Sequence, residues 1–87
     1  MSLLHPAKAG ITVTIWMVDE LPARLVHQGE RYRVTDHPTR LEDENPDFAY
    51  RLGLTGWRFQ GTGEDGVSRM FDVRRDGDGW RLIRVYD

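Results

Sequence analysis

The chain has 87 residues, a net charge of −2 and no cysteine. That length supplies one core and no room for a second, and the missing thiols exclude disulfide staples and thiolate metal sites. No apolar run approaches the roughly 18–20 residues that span a bilayer, and no signal peptide is evident ahead of Ile11, so no membrane contact and a cytoplasmic location are expected.

Residues 1 to 10, MSLLHPAKAG, hold a proline, a glycine and small residues without periodicity. They read as a flexible lead-in, and Met1-Ser2-Leu3 has the look of a cloning leader. Residues 11 to 87 then form a single β domain. It opens with ITVTIWMV, 11 to 18, a strand by composition. Ile11, Val13, Ile15 and Met17 share a wholly apolar face, expected to be the core side; Thr12, Thr14, Trp16 and Val18 share the other. Asp19-Glu20-Leu21-Pro22 should end this strand, because proline lacks a ladder donor.

Residues 23 to 35 read as a hairpin turning at Gln28-Gly29-Glu30. On its returning strand Tyr32 and Val34 point one way, and Arg31, Arg33 and Thr35 the other. Residues 36 to 47, with two prolines and five acids, read as a surface loop with a short helical turn around Arg40 to Glu44. Phe48 to Leu54 alternates like a strand. Residues 56 to 60 are a short strand with Trp57 and Phe59 on one face, followed by a turn over 61 to 66. A closing hairpin over 67 to 87 turns at Asp76-Gly77-Asp78-Gly79, with Val67, Arg69, Phe71 and Val73 on one face of its first strand. On its second strand Trp80, Leu82, Arg84 and Tyr86 oppose Arg81, Ile83 and Val85. Apolar residues on both faces suit a strand in a barrel closing on itself. The expected fold is mostly β: a small single-domain antiparallel bent sheet or SH3-like barrel of five to seven short strands.

The run Pro22-x-x-Leu25-x-x-x-Gly29-x-x-Tyr32-x-Val34 resembles the opening of a small, uncharacterised, mainly actinobacterial family of β-domains. The ending Gly79-Trp80-Arg81-Leu82-Ile83-Arg84-Val85-Tyr86-Asp87 resembles that family's C-terminus, and Trp57 its middle tryptophan. The resemblance covers most of residues 21 to 87, the acidic loop excepted. Some members are encoded near, or joined to, Y-family DNA-repair polymerases. The resemblance therefore implies an accessory or binding role, and it carries over no catalytic residue.

Few constellations carry chemistry. His5, His27 and His37 are too scattered for a metal-ligand spacing, and the acids near His37 read as a solvated loop. The serines, Ser2 and Ser68, lie in no nucleophile-elbow pattern. Gly61-x-Gly63-x-x-Gly66 spells a dinucleotide fingerprint but precedes a strand, so the helix N-terminus that would meet a pyrophosphate is missing. No catalytic residue, metal, cofactor or small-molecule substrate is expected, and an enzyme is the least favoured class.

The arginines are the sharper signal. Eleven of the twelve basic residues are arginine, mostly in expected strands, while the acids gather in expected loops. Arginine stems cover half-exposed strands well, which is the plain explanation. The functional one is a β surface that tracks a nucleic-acid backbone while exposed aromatics stack on bases. Arg31, Arg33, Arg58 and Arg81 are the candidate cations and Trp16 the candidate stacking ring. A protein partner or a homodimer is the first expectation, since the 11 to 18 strand is apolar on both faces, and single-stranded nucleic acid is the alternative.

Overall fold

The computed structural model describes residues 4–41 and 55–86, with side chains from residue 11 onward. These residues hold seven strands: β1 (Leu4–Val18), β2 (Leu21–His27), β3 (Glu30–Val34), β4 (Thr39–Arg40), β5 (Gly56–Gly63), β6 (Ser68–Asp76) and β7 (Gly79–Tyr86). Every pairing is antiparallel, in the order β3-β2-β1-β7-β6-β5-β4. A further pairing of β3 with β5 closes six of the strands into a barrel. The seventh, β4, continues β3's place along the same edge of β5, opposite Trp57 and Arg58. The small β-barrel expected from the sequence is therefore present, although β1, at 15 residues, is not short.

Tight turns fix the register. Asp19 and Glu20 both have positive φ (52° and 67°), as do Gln28 and Gly29 (52° and 78°). Two central residues of that kind make the two-residue turn whose twist matches an antiparallel hairpin. The second turn is thus Gln28-Gly29, one residue shorter than expected, and Glu30 belongs to β3 opposite His27. At the closing hairpin only Gly77 of the two turn residues has positive φ, the pattern of the other favoured hairpin turn.

Three expected boundaries move. β1 begins at Leu4 rather than Ile11, its first residues pairing with β7 from Leu4↔Tyr86. Pro22 lies inside β2, facing Met17 where the β1–β2 register shifts, a bulge that tolerates a residue without a ladder donor. β5 runs on to Gly63, so the turn expected over 61 to 66 is confined to Glu64-Asp65-Gly66. Gly61 and Gly63 belong to the ladder because Gly61 is paired on both sides, by β6 and by β3, and Gly63 is paired by β3. The expected strand over 48 to 54 and the acidic stretch beyond Leu41 lie outside the described residues.

The barrel interior holds Val13, Leu25, Tyr32, Trp57, Phe59, Phe71, Val73, Trp80 and Leu82, with Ile15, Leu21, Val34 and Val85 packed against them. Tyr32 meets Phe71 edge-on at 4.9 Å between ring centroids. Of the face expected to be core on β1, Val13 and Ile15 point inward, whereas Ile11 and Met17 are exposed. Both exposed residues sit at register shifts, Ile11 after the break following Pro6 and Met17 after the one following Trp16, where strict alternation lapses. A shift in β7 acts the same way. Val73 pairs with Leu82 but Asp72 pairs with Arg84, so Ile83 is the extra residue. Beyond it Val85 turns to the core, and Arg84 and Tyr86 leave the face they were expected to share with Trp80 and Leu82.

Candidate functional site

The outer surface of β1, β2 and β3 carries the arrangement with the most chemical content. Trp16 pairs with Arg24, and Arg24 pairs in turn with Arg33. One step along the same face Val26 pairs with Arg31. The inward residues between them, Leu25 and Tyr32, are buried, so strand alternation sends Trp16, Arg24, Arg31 and Arg33 outward, and all four are exposed. They line an open cleft of about 700 Å³ whose floor includes Leu25 and Tyr32 and whose far wall is Thr62, Gly63, Glu64 and Gly66.

The electrostatics of this cleft are unbalanced. Like charges directly opposite in a sheet repel, and Arg24 and Arg33 are such a pair. Among the described residues, the side chains of Arg24, Arg31 and Arg33 make no salt bridge or hydrogen bond, and neither does the Glu64 carboxylate. Several other arginines of the described surface are engaged, though Arg84, away from the cleft, also has no side-chain partner among the described residues. Arg40, Arg58 and Arg75 stand over the rings of Trp57, Tyr86 and Trp80 at 5.0–5.4 Å. Trp16, by contrast, is 50% exposed and has no ring or cation partner among the described residues. An indole face and three guanidinium groups thus open onto one space with nothing to satisfy them.

Below this surface Tyr32 anchors the cleft floor. Its hydroxyl donates to Glu30 Oε2 at 2.7 Å and accepts from Arg69 Nη1 at 3.4 Å. Burial first, then the hydrogen bond to Glu30, pushes the phenol's pKa above its ordinary value, so it stays a neutral donor.

The remaining sequence candidates lie elsewhere. Arg58 clasps the buried Asp72, its Nε donating to Oδ1 at 2.8 Å and its Nη2 to Oδ2 at 3.0 Å. Tyr86 closes the cluster by donating to Asp72 Oδ2 at 2.9 Å and accepting from Arg58 Nη2 at 3.1 Å. This group satisfies a carboxylate that points away from the barrel interior. Arg81 is paired with Asp76 across the closing hairpin. Of the five candidates the fold brings together Trp16, Arg31 and Arg33, and it adds Arg24. Arg24 was legible in principle: once the turn is two residues long, counting outward from Gln28-Gly29 places it opposite Arg33.

Among the described residues no three His, Cys, Asp or Glu side chains converge as a metal site would require, and no helix is long and apolar enough to cross a membrane. No family model, curated protein or solved structure matches the chain.

Proposed function

We propose that the domain binds single-stranded nucleic acid across the outer face of β1, β2 and β3. One observation carries this reading: an exposed tryptophan without a ring partner beside three arginines without counter-ions, over one cleft. Single strands present what such a surface lacks, flat bases for the indole and phosphates for the guanidinium groups. Each stacked base contributes about 1–3 kcal/mol without regard to sequence. Duplex bases are hidden from an exposed ring of this kind, so single strands should bind in preference. The role fits an accessory module of DNA repair, as the resemblance to polymerase-associated domains implies.

The test is an anisotropy titration with labelled single-stranded and duplex oligonucleotides at low and high salt. Three phosphate contacts should give a slope of log K against log salt of about −2 for a single strand. Arg24→Glu with Arg33→Glu should abolish binding, and Trp16→Leu should weaken it about tenfold or more while leaving the salt slope in place. Binding indifferent to salt, or unchanged in the arginine pair, would rule the reading out.

A protein partner or a second copy of the chain is the second reading, favoured by a different observation. Of the five large hydrophobic residues exposed among the described ones, four lie on β1: Ile11, Trp16, Met17 and Val18. Because β1 is paired on both sides, association would use its outer face rather than a free edge. Val18→Asp tests this without touching the core, since Val18 is 58% exposed. A dimer seen by light scattering that dissociates in this variant would support self-association.

A further inference from the structure

We infer, on the basis of the nucleic-acid reading above, that the bound strand runs across the β-strands along the row Trp16–Arg24–Arg33–Thr62–Ser68, with the Ser68 hydroxyl as the last phosphate donor. The row is continuous in the ladder. Trp16 pairs with Arg24, Arg24 with Arg33, Arg33 with Thr62 and Thr62 with Ser68. It crosses five neighbouring strands, β1, β2, β3, β5 and β6, about 19 Å at the usual strand spacing.

The far end of the row is a chain of hydroxyl groups with a direction. Gln60 Nε2 donates to Thr35 Oγ1 at 3.0 Å, Thr35 Oγ1 lies 2.8 Å from Thr62 Oγ1, and Thr62 Oγ1 lies 2.8 Å from Ser68 Oγ. Thr35 could otherwise give its proton to the Gln60 carbonyl, but that contact is 3.5 Å long and the same oxygen already accepts from the Thr35 amide at 2.8 Å. The better geometry passes the protons outward, Thr35 to Thr62 and Thr62 to Ser68. Ser68 is exposed and its hydroxyl makes no other hydrogen bond among the described residues, so its own proton faces outward at the end of a polarised chain. An acceptor-only group such as a phosphate oxygen is the partner that suits it.

Glu64 argues against the competing path along the β2–β3 hairpin. It follows Gly63, the residue paired with Tyr32, and so stands level with Arg31 rather than Arg33. Its carboxylate repels a phosphate on the Arg31 side of the cleft and leaves the Arg24–Arg33 row as the open route.

The experiment is a length series of oligothymidylates, from two to eight nucleotides, titrated into the wild type and into Ser68→Ala, Thr62→Val, Arg31→Ala and Arg33→Ala. Affinity should rise with length until the row is covered at about four nucleotides. Ser68→Ala and Thr62→Val should cost about tenfold on the longer oligomers and nothing on the dinucleotide. Arg33→Ala should cost more than Arg31→Ala. Equal effects on all lengths, no effect of Ser68→Ala on long oligomers, or a greater loss in Arg31→Ala would overturn this path while leaving the general reading intact. A wild type that binds no oligomer would overturn both.

Discussion

Glu20 sits at a left-handed backbone position, φ 67°, where a residue with a Cβ is strained by about 1–2 kcal/mol. It is the second central residue of the β1–β2 turn, the place where glycine follows aspartate in the favoured form. Glu20→Gly should therefore stabilise the domain, by about 0.5–1 kcal/mol once glycine's larger unfolded-state entropy is counted. Chemical denaturation reads this directly, and a lower midpoint would show that the Glu20 side chain holds the turn in some other way. His27 is the second informative residue. Its Nδ1 is buried without a hydrogen-bond partner, and burial lowers its pKa, with the Glu30 carboxylate opposing in part. The unfolded chain then takes up a proton at a higher pH than the fold does. Stability from this group is complete above about pH 6.5 and falls as the pH drops through that value toward the lower folded one. Thermal melts between about pH 7.5 and about pH 5.5 should lose more in the wild type than in His27→Gln; equal losses would place the effect on other groups.

At the scale of elements, β5 shows how closure constrains sequence. It is paired on both edges, and at Gly61 a Cβ would come within 2.8 Å of the Phe71 ring and 3.1 Å of Tyr32 Cβ. Gly61→Ala should cost about 1–3 kcal/mol by overpacking, read as a fall in the denaturation midpoint, and Thr62→Ala next to it far less. A pair of equal, small effects would mean that the rings relax freely. In the sequence Gly61, Gly63 and Gly66 look alike, and a turn was the natural reading of all three. Only Gly66, with φ 81°, needs glycine's backbone freedom; Gly61 is there because the Phe71 ring and the Tyr32 Cβ leave no space. The hairpins were legible because their turn residues and alternation are local. The bulges were not, since an extra residue such as Ile83 changes which side chains face inward without any local marker. The same limit hid the site: Arg31 and Arg33 stood out by alternation, but placing Arg24 beside them needed the turn length to within one residue.

For the whole molecule the useful quantity is the distribution of charge rather than its sum. A net charge of −2 suggests no affinity for nucleic acid, yet the cleft collects three arginines against one glutamate. The barrel also removes strand edges along most of its circumference, which leaves outer faces as the surfaces for partners. Elsewhere on that surface, in the Arg58–Asp72–Tyr86 cluster, the charge serves the fold. Arg58→Ala strands a buried carboxylate and should destabilise by about 3 kcal/mol. Arg24→Ala, with no partner to lose, should leave the denaturation midpoint nearly unchanged or raise it, because it relieves the repulsion from Arg33. That contrast separates arginines that hold the domain together from those available to a ligand.

The measurement that bears most directly on the account is an amide and indole chemical-shift map of the domain titrated with a short single-stranded oligonucleotide at low salt. The account predicts shifts at the Trp16 indole and along Arg24, Arg33, Thr62 and Ser68, fading as salt is added, with Arg58, Asp72 and Tyr86 unmoved. Shifts centred on the Arg58–Asp72–Tyr86 cluster, or none at all at saturating oligonucleotide, would contradict it.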